Sequence, residues 1–348
     1  MTQNADRHIK ETTVVEKSKS GLMRVLNFIP QVMPIIIIGG LLYAGFFVKA
    51  EAVITKVQPK AIERRDNFIS VAAPSDQVAW AAGTAGKVVH TEDGGKTWAA
   101  QKTKTLENLQ GIAAFDDKNA IVVGNRSLIL YTTDGGVTWN KATQPTPPKP
   151  EISKLFRVQI AGNTVWAVGE YNTLLRSDDK GVTWTRVLPE MDRNLNTIAF
   201  AGDVGVIFGE AGLTLRSTDA GVTWEEIKVD NMVSLMNVAF RDDKHGVAVG
   251  LTGTMMTTED AGLTWVAMPN ATDEHLLNVR WEGDQWIAVG DKGVIVTSNA
   301  EAKEWKAGKI FEGDVAWRTQ MVKQGPRYYV VGANLAILEG GKLVVAGR

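Results

Sequence analysis

The chain contains no cysteine, so disulfides, thiolate metal sites, a cysteine nucleophile and a lipid-modified N-terminal cysteine are all excluded. Histidine is scarce, and His8, His90, His245 and His275 are scattered with no metal-ligand spacing. No excess of either charge is present: Lys plus Arg number 38 and Asp plus Glu 39, which leaves no electrostatic footprint for nucleic acid. No glycine-rich phosphate loop with a following lysine occurs, since each DGG stretch opens a strand rather than a helix. The expectation is a protein with neither metal nor cofactor. Disorder is excluded as well, because 44% of the 348 residues are hydrophobic and 22% charged.

Long apolar runs are absent except for one, VLNFIPQVMPIIIIGGLLYAGFFV at residues 25–48. At 1.5 Å per residue it covers about 36 Å of helix, enough to span a bilayer core. Pro30, Gln31 and Pro34 interrupt its first third, which membrane helices tolerate when neighbouring groups satisfy the freed carbonyls. A cleaved secretory signal is the competing reading, since Val48-Lys49-Ala50 offers small residues; the long polar leader ahead of the run argues against it. Basic residues are balanced across the run, with Arg7, Lys10, Lys17, Lys19 and Arg24 before it and Lys49, Lys56, Lys60, Arg64 and Arg65 after it. Charge therefore leaves the topology open. The expected order is a cytoplasmic tail (1–24), a transmembrane helix (25–48), a linker or closing strand (49–65) and a folded domain (66–348). A single-pass protein of the cytoplasmic (inner) membrane is expected, with that domain in the periplasm or otherwise extracytoplasmic. Gly40 and Ala44 lie four apart and give a partner helix a face for close approach.

What dominates the rest is repetition. The pattern Ser/Thr-x-Asp-x-Gly-x-Thr-Trp occurs five times, with Asp93 and Trp98, Asp134 and Trp139, Asp179 and Trp184, Asp219 and Trp224, and Asp260 and Trp265. A sixth copy, SNAEAKEW, keeps only its serine and Trp305. Successive tryptophans lie 41, 45, 40, 41 and 40 residues apart. Ahead of each box runs a short apolar stretch closing on glycine, and there are seven of these: Gly83, Gly124, Gly169, Gly209, Gly250, Gly290 and Gly332. Further upstream sits another strand-like stretch such as LNTIAF or LMNVAF. Each unit thus reads as four short strands, the signature of one blade, and seven units predict an all-β, seven-bladed β-propeller behind a single N-terminal transmembrane helix. The last blade lacks a box. Its outermost strand is either Lys342 to Ala346 or a strand returned from Ala52 to Val57.

Within a box the aspartate is suited to accept backbone N–H bonds and fix the turn between third and fourth strands. Glycine supplies positive φ, and tryptophan fills the space between neighbouring blades. A carboxylate that recurs equivalently in five blades faces five directions, so these aspartates are structural and not catalytic. The motif is identified as the Asp-box, or bacterial neuraminidase repeat, and covers about residues 66–340. With its VG-type second strands and DGG-x-TW boxes, the chain resembles the photosystem II stability and assembly factor family and its relatives in non-photosynthetic bacteria. That resemblance implies a non-catalytic scaffold, assembly factor or accessory subunit of an integral membrane complex. For the heterotroph branch it implies a transporter of the resistance-nodulation-division (RND) superfamily. A membrane helix in place of a lipid-modified cysteine separates this chain from the photosynthetic members.

Two alternatives stand beside it. One is a carbohydrate-binding or sialidase-like glycoside hydrolase propeller, and the other is a photosystem II assembly factor. Sialidase chemistry needs three arginines, a Tyr–Glu nucleophile pair and an acid. The Arg-Ile-Pro element those enzymes share is missing; its nearest match, Phe156-Arg157-Val158, lacks the proline. Tyr43 lies in the membrane run, and Tyr131, Tyr171, Tyr328 and Tyr329 fall in repeat positions or turns, so the inventory predicts no enzyme.

The turns after the second-strand glycines lie opposite the boxed turns and vary where the framework does not. They offer Asn125, Arg126, Glu170, Tyr171, Asn172 and Glu210 as candidate partner contacts, followed by Leu251, Asp291, Lys292 and Asn334. Two connections stand out, the proline-rich QPTPPKP at 144–150 and the apolar Met232, Val233, Leu235 and Met236. Inner strands carry a polar column of Ser70, Arg157, Thr197, Asn237 and Asn278, expected to satisfy one another and trapped water. Arg157 alone is long enough for ligand contact.

Overall fold

A computed structural model describes residues 30–47, 60–230 and 233–347. The tail at 1–24, both ends of the apolar run (25–29 and 48), the candidate closing strand at 52–57 and Met232 lie outside the described residues. The chain divides into two units, 1–59 and 60–348.

The first unit contains a helix, Pro30–Phe47, long and apolar enough to cross a membrane by length and composition. Its 18 residues make about 27 Å. Ile35, Ile36, Leu41, Leu42, Phe46 and Phe47 are all exposed. A helix apolar on every face suits an apolar surrounding, as a membrane anchor or a signal sequence does. Gly40 has nothing within 4 Å of where a Cβ would stand, and Ala44 is exposed.

Among the described residues, the second unit has 28 strands in seven consecutive groups of four. The inner strands are Phe68–Ala72, Leu109–Ala114, Leu155–Ala161, Leu195–Ala201, Leu235–Phe240, Leu276–Trp281 and Arg318–Gln324, which number the blades 1 to 7. Each inner strand touches the next, and that of blade 7 returns to that of blade 1. Within each blade the four strands are antiparallel neighbours in chain order. Blade 7 takes its outer strand from its own C-terminal segment: Lys342–Val345 pairs with Leu335–Glu339. Of the two sequence alternatives, the local one is formed.

Second strands such as Gly246–Gly250 and Trp286–Gly290 are buried along their whole length. That explains their unbroken apolar runs, because both faces pack against neighbouring blades. Their closing glycines have a shared cause. A Cβ on Gly83, Gly124, Gly169, Gly209, Gly250, Gly290 or Gly332 would stand 1.8 to 2.5 Å from the carbonyl oxygen just ahead of that blade's inner strand. The same carbonyl accepts the N–H of the residue after the glycine, as in Asp291 N–H to His275 O at 3.0 Å. Only glycine lets the two backbones approach this closely.

Candidate functional site

The five complete boxes share one hydrogen-bond network. In blade 1 the Thr91 hydroxyl donates to Asp93 Oδ1 at 2.8 Å, and Thr97 donates its N–H to Oδ1 (2.9 Å) and its hydroxyl to Oδ2 (2.6 Å). Gly95 N–H closes on Thr91 Oγ1 at 2.9 Å. Asp134, Asp179, Asp219 and Asp260 repeat this in blades 2 to 5. The side-chain and backbone donations of Thr223 hold the Asp219 carboxyl at about 2, well below the carboxylate norm. At Asp93 partial burial pushes upward, but the combined hydrogen bonds from Thr97, Thr91 and Lys96 win and bring it to about 2. These aspartates are committed to their own turns, with no two from different blades meeting.

The tryptophans close the spaces between blades. Trp98, Trp184, Trp224 and Trp265 donate Nε1–H to the box glycine carbonyl at 2.9 to 3.1 Å, while Trp139 donates to Gln101 Oε1. Each ring packs on the preceding blade: Trp98 meets Tyr329 edge-on at 6.2 Å, Trp224 meets Trp166 at 6.3 Å, and Trp265 meets Phe208 at 5.0 Å. In the sixth, degenerate box, Trp305 still donates to Ala302 O at 2.9 Å. Ser298, lacking an aspartate, turns its hydroxyl to Glu304 O.

The candidate partner residues lie on the rim opposite the boxes. Asn125, Arg126, Glu170 and Tyr171 come together in one cleft between blades 2 and 3 with Glu107, Glu151 and Lys154. Arg126 pairs with Glu151 and lies 3.7 Å from Glu107, and Lys149 from the proline-rich segment stands 4.5 Å over the Tyr171 ring. Glu210, Leu251, Asp291, Lys292 and Asn334 are spread along blades 4 to 7 and do not converge with it. Glu210 is held by Asn194, and Lys292 by Glu274 at 2.9 Å. Asn172 requires a correction: it is buried, not presented to a partner. It occupies a left-handed position (φ 54), its N–H goes to Arg193 O and its amide to Pro189 O. Asparagine is there because it tolerates that backbone and ties the loop down.

The polar column is mostly a belt. Asn237 donates to Thr197 Oγ1 (3.3 Å) and accepts from Asn278 Nδ2 (3.0 Å) and Val279 N–H (2.9 Å). Asn278 accepts from Met321 N–H, Gln320 from Ser70 and Val71, and Ser70 from Ile112 N–H. Arg157 stands outside this chain of bonds, its buried Nε without a hydrogen-bond partner. Burial lowers its guanidinium to about 10, still charged at neutral pH. It lines the central channel, a cavity of about 450 Å³, together with Arg280, Gln159, Asn196 and Met236. Leu235, Met236's neighbour, is instead core.

Two residues that carry the ring were not singled out in the sequence. Gln320 is the acceptor joining blade 7 to blade 1. Arg318 takes the place filled by leucine in blades 2 to 6 and is fully buried, bonded to Asp314 at 3.2 Å and Asn334 at 2.9 Å. Setting the seven inner strands in register would have exposed both departures.

Two segments of the chain, 103–195 and 224–312, match the family model described as "Photosynthesis system II assembly factor YCF48", together just over half of its length. Among solved structures, the chain is similar to "YCF48 bound to D1 peptide", with a TM-score of 0.64 and 15% identity over 82% of this chain and 93% of that one. "YCF48 from Cyanidioschyzon merolae" also gives 0.64, at 16% identity over 79% and 95%. The WD40 propeller domain of Doa1 gives 0.61 at 10% identity over 82% and 95%. At such identities the likeness establishes a β-propeller fold. No curated protein sequence matches the chain.

Proposed function

We propose, from the premise that this chain belongs to the photosynthesis system II assembly factor YCF48 family, that it serves without catalysis as a membrane-anchored assembly or accessory factor for an integral membrane complex. The observation that carries this reading is the pairing of a family propeller with a helix apolar on every face. The first holds loops rigidly on one rim; the second suits a bilayer or an apolar partner. A solved family relative bound to a D1 peptide supports a protein as the ligand. Box carboxylates saturated by their own turns support the absence of catalysis.

The finer reading places the propeller on the periplasmic side of the inner membrane, with an RND-superfamily transporter as the first partner to test. It rests on the resemblance to heterotroph relatives and on the absence of the lipid-carrying cysteine. The rim cleft around Arg126 and Tyr171 is the first docking surface, and Gly40 and Ala44 the first intramembrane contact.

The test is purification of the tagged full chain in mild detergent, followed by mass spectrometry. Stoichiometric recovery of one integral membrane complex is expected, and Gly40→Leu should weaken it while leaving membrane insertion intact. Recovery of the protein alone, or turnover of a fluorogenic glycoside, would defeat the reading. Recovery of a complex other than an RND transporter would defeat the finer one.

A further inference from the structure

Arg157 is at odds with its surroundings. Arg157 is half-buried and its buried Nε–H has no acceptor; folded proteins keep few such donors, and one that lines a cavity invites a ligand that supplies the acceptor. The inner-strand belt satisfies its own polar groups through blades 4, 5, 6, 7, 1 and 2, so Arg157 in blade 3 is not needed to complete it. Its counterpart in blade 2 is Gly111, where a Cβ would meet the backbone of Arg157 and Val158 at 3.1 to 3.3 Å. The equivalent position of that blade therefore offers Arg157 no side chain to pair with.

The cavity has a matching charge pattern. Arg280 lines it too, and among the described residues around it none is acidic. Arg280 is paired with Glu282 at 3.2 Å, which leaves Arg157, among the described residues of the lining, as the cation with no ion-pair partner. Toward the rim of the inter-blade connections, the mouth is walled by Ile69, Phe156, Met236 and Leu277, each the second residue of its inner strand. The space falls within the range of sites that hold a small ligand or the end of a peptide.

We infer that the channel is a carboxylate-binding site, in which Arg157 receives the carboxylate of a partner's peptide segment and an adjacent apolar residue packs on Phe156, Met236 and Leu277. Arginine presents a planar fork that matches a carboxylate, and the unpaired Nε–H of Arg157 is one prong of it. The site rests on the accessory-factor reading only in taking a protein as the source of the carboxylate.

The test is fluorescence anisotropy with the full chain in dodecyl maltoside. One labelled probe is a Leu-Ala-Leu peptide with a free C-terminal carboxylate; the other is an amidated Leu-Glu-Leu. Their neutral counterparts, amidated Leu-Ala-Leu and amidated Leu-Gln-Leu, are the controls, so the two arms separate a chain terminus from an acidic side chain. Saturable binding of at least one acidic probe is expected, weakened about tenfold or more by neutralising the probe or by Arg157→Gln or Arg157→Met. Melting temperatures of both variants should equal or exceed that of the native chain, because a buried N–H without an acceptor has been removed. Neutral probes binding as well as acidic ones, variants binding as well as the native chain, or a lowered melting temperature in both variants would overturn the site. Co-purification tests the accessory reading separately, so either can fail while the other stands.

Discussion

Asp219 and its counterparts accept hydrogen bonds in an arrangement that suits the ionised carboxylate, since both oxygens receive a donor from Thr223 or its equivalent. Their pKa values are lowered in all five complete boxes. The consequence for stability has a definite sign. A carboxyl whose folded pKa is depressed contributes stability above its unfolded value, near 3.8, and loses it as pH falls through the folded value, about 2 at Asp93 and Asp219. Acid unfolding followed by tryptophan fluorescence should therefore steepen between about pH 4 and pH 2. Asp219→Asn should melt lower than the native chain at neutral pH yet show a shallower acid slope, because one titrating box has been removed. An unchanged slope would mean that the boxes do not govern acid stability. These networks were legible in the sequence because each lies within eight residues, and a local turn writes its requirements into adjacent positions. Asn172 was not legible in the same way. Its burial depends on Arg193 and Pro189, about twenty residues on, and a polar side chain in a variable turn reads equally as ligand contact or as loop brace.

At the scale of the element, the glycine that ends each second strand was visible as a position but not as a cause. The reason lies across the blade, in the carbonyl of the residue just ahead of the inner strand. Gly290 shows this most sharply. Its backbone is extended (φ -169, ψ -145), so any residue could adopt it, yet a Cβ would sit 1.8 Å from His275 O. Gly290→Ala must push the inner strand of blade 6 away from its partner and should cost about 2–3 kcal/mol, as overpacking of a rigid site does. Gly308 in the outer strand Trp305–Lys309 is the control: it is exposed, its nearest neighbour being Ile295 Cγ2 at 3.8 Å. Gly308→Ala should change stability by no more than about 0.5 kcal/mol. Paired urea melts decide the matter, and equal effects would refute the close-approach account. The same non-local logic hid the belt. Thr197, Asn237 and Asn278 were recognised as a column, but Gln320 and Gly111 complete or interrupt it from blades whose inner strands lack the shared polar type.

At the largest scale, the second unit is a ring with one place where the chain does not run from a blade to its neighbour. Among the described residues, blades 1 and 7 are each made of four consecutive strands and exchange none. The seam between them is held without covalent continuity. Phe68 pairs with Gly332, Thr319 Oγ1 donates to Ile69 O at 2.7 Å, and Arg327 donates to Asp76 O at 3.0 Å. Phe68, Val71, Val322, Tyr329, Val331 and Leu335 form the apolar cluster beneath. Gln320 is the centre of the polar part, its Oε1 accepting from both the Ser70 hydroxyl and the Val71 N–H at 2.9 Å. Opening any other inter-blade contact leaves the two blades tethered by a short connection, which keeps their effective concentration high; opening the seam does not. The seam is therefore where sub-global opening should begin. Gln320→Ala leaves the Val71 N–H without its acceptor, a loss of about 1–3 kcal/mol. Hydrogen exchange should report it as faster exchange confined to the strands of blades 1 and 7. Asn237→Ala, which removes a comparable acceptor between blades 5 and 6, should leave exchange in those blades closer to native, because the chain still joins them. Equal acceleration at both places would show that chain continuity contributes nothing and that the ring is uniformly held.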